Sequence, residues 1–247
     1  MCADLTGDPR FLYPRTPAYW AQLPYYAVHK SKSWLERRRH GPRSLPPVGL
    51  TVGSRAHDTV FFGIPKVGTR SFMHAISALP LERRKGLVMT ESTLAEELIR
   101  GAYFAPEVVT LVRNPWARTL SCYRDKIARL DSEGHRARRI ARFPGLAPAM
   151  SFANFVEWLS TPAGADSVAD RHWRSQSSFL NTGAGTIQAH QIESFGGQIE
   201  IFDTCLDLGR ENATGGDRDY RQAYTPELRE KVAERYAEDI ERFGYTF

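Results

Sequence analysis

The chain is poor in cysteine and contains no long apolar segment. Cys2, Cys122 and Cys205 are scattered, and none belongs to a C-x-x-C pair. This spacing predicts a reducing compartment, with neither a disulfide framework nor a metal site. No apolar run approaches the roughly 20 residues that span a bilayer, and the start of the chain, MCADLTGDPR, lacks the pattern of a signal peptide. These absences predict a soluble, cytoplasmic protein that does not bind membranes.

A large excess of one charge is also absent, because the formal net charge is only +5. The basic residues are nevertheless concentrated in two segments, residues 30–43 and 136–142. Such runs commonly form solvated surface, but they could also attract a highly anionic ligand or form a platform for an anionic acceptor. We expect no nucleic-acid partner, and the sequence leaves the oligomeric state open.

The composition and the spacing of apolar runs favour one α/β domain over residues 1–247. With 42% hydrophobic and 25% charged residues, the chain is long enough to bury a substantial core. Strand-like runs alternate with helical stretches, which predicts a parallel sheet covered by helices. The aromatic, Pro- and Arg-rich residues 1–54 are predicted to pack on this core or to shape the entrance for a substrate. The predicted strands are 59–64, 87–90, 108–112 and 198–202.

Two helix starts can be read from local sequence. Ser151 precedes the apolar stripe of FANFVEWLS and is predicted to be its N-cap. Thr225 precedes a proline and a glutamate, which predicts a capped helix with Pro226 at its first position. Apolar residues from Leu228 to Phe243 then predict one helical face.

The segment TVFFGIPKVGTRSF, residues 59–72, carries the clearest chemical signal. A buried strand ends at Pro65, and the following turn leads into a helix, so that backbone N–H groups can converge on an anion. Gly68 permits close backbone approach, and Lys66 supplies a full positive charge. The alternative is a tight turn with solvated basic side chains. A nucleoside triphosphatase loop is excluded, because Lys66 precedes Gly68 and no Ser or Thr stands directly after the lysine to hold Mg²⁺.

A second strand-to-helix segment follows the same design. The apolar run 108–112 is followed by Arg113, and Ser121 lies eight residues later in a predicted helix. An arginine at a strand end and a serine on the next helix can bind one phosphate together, the first through charge and fork geometry and the second through its hydroxyl.

These two segments resemble the donor motifs of sulfotransferases that use 3′-phosphoadenosine 5′-phosphosulfate (PAPS). PKVGTRSF is similar to the loop that binds the 5′-phosphosulfate, and VRNPWARTLSCYRDK is similar to the 3′-phosphate motif. HWRSQ, ESFGGQIEIFD and YAEDIERFGY resemble later landmarks of the carbohydrate-type, sulfotransferase family 2-like branch. The resemblance covers residues 58–247.

The resemblance implies a P-loop-like central parallel sheet flanked by helices, PAPS as donor, 3′-phosphoadenosine 5′-phosphate (PAP) as product, and no metal. It implies transfer of a sulfuryl group to a hydroxyl of a carbohydrate or a small polar natural product, with O- versus N-sulfation left open. Arg113 and Ser121 would hold the 3′-phosphate. The residues assigned to the phosphosulfate loop are Lys66, Val67, Gly68, Thr69, Arg70, Ser71 and Phe72.

Three residues are candidates for the catalytic step. Lys66 would stabilise charge on the leaving phosphate. Glu91, at the end of a short apolar run between the two donor motifs, is the predicted general base, and His172 of HWRSQ is its rival. Trp173 and Gln176 of the same motif either line the cleft or pack in the core. Two other classes remain open: a catalytically silent PAP-binding or basic interaction module, and a P-loop kinase-like phosphotransferase.

Overall fold

The structure is a computed structural model. It describes residues 3–4, 51–54, 56–85, 87–88, 107–128, 140, 142–180, 187–209 and 217–247. The chain divides into two compact units, described separately below. The sheet unit comprises Met1–Val112 and Phe179–Asn212, and the helical unit comprises Arg113–Ser178 and Ala213–Phe247. The prediction of a single domain with an N-terminal extension stays a prediction, since most of residues 1–54 lie outside the described ranges.

A five-stranded sheet forms the centre of the sheet unit, in the order β4-β2-β3-β5-β6. Strands β3, β5 and β6 run parallel to one another, and β2 pairs antiparallel with both β3 and β4. The predicted central parallel sheet is therefore mostly parallel, with β2 as its antiparallel strand. The strand bounds are β2 Thr51–Ser54, β3 Thr59–Phe62, β4 Leu87–Val88, β5 Glu107–Val112 and β6 Ile187–Gln191.

A smaller sheet has the order β1-β7-β8. Its strands are β1 Ala3–Asp4, β7 Gln198–Ile201 and β8 Thr204–Asp207. Cys205 on β8 is disulfide-bonded, whereas Cys122 in the helical unit is buried and forms no disulfide. The prediction of no disulfide, made from cysteine spacing alone, is therefore wrong, because a disulfide requires proximity in space and not a local sequence pattern.

Helices of the sheet unit follow β3. Helix α1, Thr69–Ala78, buries Phe72 and Ile76. The ring of Phe72 stacks on Phe61 of β3 with a centroid separation of 3.9 Å. This contact fixes α1 against the strand that precedes it, and so fixes the turn between them. A short helix, α2, spans Leu81–Arg84.

The helical unit is built around one aromatic core. Its centre is formed by Phe155, Trp158 and Trp173, with Cys122 and Ile127 packed in the same cluster. The helices are α3 Pro115–Lys126, α4 Phe152–Leu159, α6 Pro226–Arg235 and α7 Ala237–Phe243, and a short helix α5 spans Ser177–Leu180.

Both predicted caps are confirmed. The Ser151 side chain accepts from the N–H of Asn154, and the Thr225 side chain accepts from the N–H of Leu228. The single helical face predicted through Phe243 is wrong, because Tyr236 leaves the helical conformation (φ −119°, ψ 30°) and separates α6 from α7. Asp239, on α7 after this break, is buried.

Candidate active site

The turn between β3 and α1 has an unusual backbone. Lys66 and Gly68 adopt left-handed conformations, with φ of 75° and 85°, whereas Val67 between them does not. Alternation of this kind turns successive N–H groups towards one side and forms a concave anion site. The Thr69 hydroxyl donates to the carbonyl of Ile64 at 3.0 Å and braces the turn. No side chain caps the start of α1, where the positive end of the helix dipole lies.

Gly68 is required here for two physical reasons. Its φ of 85° disfavours any residue with a Cβ. A Cβ built at this position would also lie 2.7 Å from Cδ1 of Ile192. The turn is therefore pressed against the segment that follows β6, and its shape depends on the absence of a side chain.

The other loop residues differ in what they can offer a ligand. Ser71 is buried on α1, and Arg70 is exposed. Val67 is buried, so its side chain belongs to the core. Phe72 is fully buried against Phe61, and its N–H donates to the carbonyl of Gly68 at 3.0 Å. The assignment of Phe72 as a ligand contact is therefore corrected: Phe72 is a core residue that holds the turn.

In the helical unit, Arg113 follows the last residue of β5 and is half-buried. The next residue, Asn114, is the N-cap of α3, and its side-chain oxygen accepts from the N–H groups of Trp116 and Ala117 at 3.1 and 3.3 Å. Pro115 occupies the first helical position, where no N–H is required. Ser121 lies half-buried on α3. The Asn-Pro pair is a recognisable start signal and explains why the helix begins directly after Arg113.

A buried hydrogen-bond relay that the sequence did not reveal holds the backbone of Arg113. The Gln176 side chain accepts from the Arg113 N–H at 2.8 Å and donates to the Arg113 carbonyl at 2.8 Å. Asp239 on α7 accepts from the N–H groups of Gln176 and Ser177, both at 2.7 Å. Gln176 and Asp239 are both fully buried, so of the two roles left open for Gln176, lining the cleft or packing in the core, the structure supports packing. Trp173 is likewise a core residue.

His172 is held in one orientation by Asp170. Its Nδ1 lies 2.5 Å from Oδ1 of Asp170, and its backbone N–H donates to the same oxygen at 3.0 Å. Arg142 donates to the other carboxylate oxygen at 3.1 Å. Because an ionised carboxylate only accepts hydrogen bonds, Nδ1 carries the proton and Nε2 carries the lone pair in the neutral imidazole. The sequence signal that could have predicted this pair is the acidic residue two positions before the histidine.

The electrostatic surroundings keep this pair in the ionised-carboxylate, neutral-imidazole state at neutral pH. Burial raises the pKa of Asp170, but the hydrogen bond and charge of His172, with the charge of Arg142, outweigh burial and hold the pKa at about 2. Burial lowers the pKa of His172 from its ordinary 6.5 and outweighs the hydrogen bond and charge of Asp170. The charges of Lys126 and Arg171 lower the pKa of His172 further. His172 is therefore suited to accept a proton through Nε2.

The other predicted base, Glu91, lies outside the described residues. Of the basic residues 136–142, Arg142 is described, and it pairs with Asp170. Within the described ranges, no three His, Cys, Asp or Glu side chains are grouped to hold a metal ion.

The model of the sulfotransferase family, family 2, matches residues 51–246. The chain therefore belongs to the sulfotransferase family. No curated protein and no solved structure matches the chain. Among the described helices, none has the length and apolar character to cross a membrane.

Proposed function

We propose that this protein transfers the sulfuryl group of PAPS to a hydroxyl of a carbohydrate or a small polar natural product. The observation that carries the proposal is the β3–α1 turn, in which Lys66 and Gly68 are both left-handed and the helix start has no side-chain cap. This turn lies inside the segment matched by the sulfotransferase family. A concave set of N–H groups beside a lysine fits a doubly anionic phosphosulfate better than a neutral ligand.

The residues of the two motifs would divide the donor between them. The backbone of residues 66–71, with the Ser71 hydroxyl and the Lys66 ammonium, would hold the 5′-phosphosulfate. Thr69 would contribute only its backbone, because its hydroxyl donates to the carbonyl of Ile64. Arg113 and Ser121 would hold the 3′-phosphate, since a guanidinium matches phosphate geometry and a hydroxyl donates one further hydrogen bond. Recognition of the 3′-phosphate would distinguish PAPS from the more abundant adenine nucleotides that lack it.

PAPS supplies an activated sulfuryl group: the acceptor oxygen forms a bond to sulfur while the bond from sulfur to the bridging phosphate oxygen breaks. The protein must then remove the hydroxyl proton and stabilise the negative charge on the leaving phosphate. Nε2 of His172 would take the proton, because Asp170 fixes Nδ1 as the protonated nitrogen and stabilises the imidazolium. The Lys66 ammonium would stabilise the leaving oxygen. Glu91 stays a predicted alternative for the base.

The proposal is tested by a transfer assay with PAPS labelled in the sulfuryl group, against a panel of carbohydrates and small hydroxylated compounds. We expect label on at least one hydroxyl acceptor, with PAP as the second product. We also expect transfer to continue in EDTA, because no Ser or Thr stands directly after Lys66 to hold Mg²⁺. A strict requirement for a divalent metal would favour the kinase-like alternative. Tight PAP binding without transfer to any acceptor would favour a silent binding module.

The nucleotide preference provides a second test that needs no acceptor. PAP should raise the unfolding temperature more than AMP at the same concentration, because Arg113 and Ser121 are assigned to a phosphate that AMP lacks. Hydrogen bonds to charged groups contribute about 1.5–3 kcal/mol each, so one such contact already favours PAP about tenfold or more. Thermal unfolding with a titration of each nucleotide measures the difference. Equal stabilisation by PAP and AMP would contradict the 3′-phosphate assignment.

A further inference from the structure

We infer that Gln176 and Asp239 are positioning residues that fix Arg113 and thereby set the preference for nucleotides with a 3′-phosphate. This inference rests on the proposed function, in which Arg113 contacts that phosphate. It assigns the preference in part to two buried residues that cannot themselves reach a ligand, since neither has any exposed surface.

The carboxamide of Gln176 binds the backbone of Arg113 in the way that a neighbouring strand would. One side chain satisfies both the N–H and the carbonyl of Arg113, each at 2.8 Å. β5 has ended at Val112, so regular strand pairing is not what holds Arg113. Fixing both polar groups of one residue fixes the direction of its Cα–Cβ bond. The long guanidinium side chain then starts from a defined point, which reduces the conformational entropy lost when it binds phosphate.

Asp239 in turn fixes Gln176. Its two carboxyl oxygens accept separately from the backbone N–H groups of Gln176 and Ser177 at 2.7 Å, and Oδ2 also lies 3.4 Å from the Gln176 side-chain nitrogen. A carboxyl group buried without solvent is costly unless its oxygens are hydrogen-bonded. Both oxygens of Asp239 are hydrogen-bonded here. A shift of Gln176 would break these bonds and leave the buried carboxyl group without partners, so Gln176 is held in place.

A second support acts on the residue next to Arg113. The Asn114 side chain, besides capping α3, donates from Nδ2 to the carbonyl of Thr246 at 2.9 Å. The backbone of Arg113 is therefore held by Gln176, and the next residue, Asn114, is held by Thr246. We attribute the preorganisation of the arginine to both sets of hydrogen bonds.

The decisive variant is Gln176→Met, which keeps the length and approximate volume of the side chain but removes both hydrogen bonds to Arg113. Tyr236→Phe is the matched control, because the buried Tyr236 hydroxyl donates to the carbonyl of Trp173 at 2.7 Å without touching Arg113. Each variant is titrated with PAP and with AMP by calorimetry, at one salt concentration. In Gln176→Met, we expect PAP affinity to fall about tenfold and AMP affinity to change less than about twofold. In Tyr236→Phe, the ratio of the two affinities should stay that of the wild type.

The outcomes separate this inference from the proposed function. If the wild type does not prefer PAP over AMP, the 3′-phosphate assignment fails and the inference fails with it. If the wild type prefers PAP and Gln176→Met keeps the full preference, the positioning role alone is overturned. The same holds if Tyr236→Phe loses the preference equally, because a general loss of stability would then explain both.

A measurement on the wild type covers the case in which Gln176→Met does not fold. Hydrogen exchange at the Arg113 amide reports the bond to Gln176 directly. We expect slow exchange in the free protein, and a further slowing with PAP that exceeds the slowing with AMP at equal saturation. An Arg113 amide that exchanges as fast as an unprotected one, or that responds equally to both nucleotides, would overturn the inference.

Discussion

Lys66→Ala should lower kcat by about 10²-fold or more, the magnitude observed when one group that stabilises developing charge is removed. PAP affinity should fall much less, because the N–H groups of the turn and the 3′-phosphate contacts remain. The reason is that Lys66 is assigned to charge that appears on the leaving oxygen only as the bond to sulfur breaks. Steady-state kinetics with saturating PAPS, together with PAP titration, separates the two effects.

Two variants serve as controls for Lys66→Ala. Lys85→Ala removes one positive charge from an exposed position of the same unit, and its kcat should stay near that of the wild type. Arg113→Ala should show the reverse pattern, with a large loss of PAP affinity and a smaller loss of kcat at saturation. Near-normal turnover in Lys66→Ala with the true acceptor would show that the loop lysine has no role in the transfer step.

The backbone of the donor turn illustrates what local sequence can predict. Pro65 ends a β-rich apolar run, and Gly68 marks a position where a side chain is not tolerated. Both signals are local, and the structure has a turn between β3 and α1 at this place. The left-handed conformation of Lys66 was not predicted, because a lysine normally avoids positive φ and only the surrounding packing imposes it.

The starts of α4 and α6 could also be predicted, because their signals lie in adjacent sequence. Ser151 and Thr225 satisfy N–H groups within three residues of themselves, so their role is encoded in adjacent sequence. The break at Tyr236 was missed, since the apolar periodicity continues across it. Its hydroxyl bonds to Trp173, 63 residues away, and this tertiary contact outweighs the local helical pattern.

The relay behind Arg113 could not be predicted from one sequence. Gln176 lies 63 residues from both Arg113 and Asp239, and nothing in the local pattern distinguishes a buried glutamine from one that lines a cleft. The antiparallel β2 was missed for a different reason. Its four residues, TVGS, are short and contain a glycine, and pairing with β3 depends on register that only the folded sheet defines.

The general base carries the largest predicted effect. His172→Gln keeps a hydrogen bond donor near Asp170 but cannot accept a proton at neutral pH, so kcat should fall by roughly 10²- to 10⁴-fold, the range typical for loss of a general base. Donor affinity should barely change, because His172 is assigned to no phosphate. Glu91→Gln is the companion variant, and it should retain most of the wild-type kcat if the Asp170–His172 pair provides the base. The opposite result, collapse in Glu91→Gln and normal turnover in His172→Gln, would transfer the role to Glu91.

The pH dependence of kcat/KM gives the same test without relying on one substitution. Burial lowers the pKa of His172 below 6.5, so the neutral base is present at pH 7 and activity should decline only as the pH falls below 6.5. Stability must be followed in parallel, because the pKa of His172 is lower in the folded protein than in the unfolded chain. Below pH 6.5 the unfolded chain therefore binds more protons, and the free energy of unfolding decreases as the pH falls. The lowered pKa of Asp170 adds stability that is present above 3.8 and is lost only as the pH falls towards about 2, well below the assay range. Asp170→Asn replaces the carboxylate that accepts from the Nδ1–H of His172. It should lower kcat by a larger factor than the factor by which it changes KM. If kcat/KM of His172→Gln still falls at low pH as it does in the wild type, another group is the base. The assignment of the donor motifs would stand in that case.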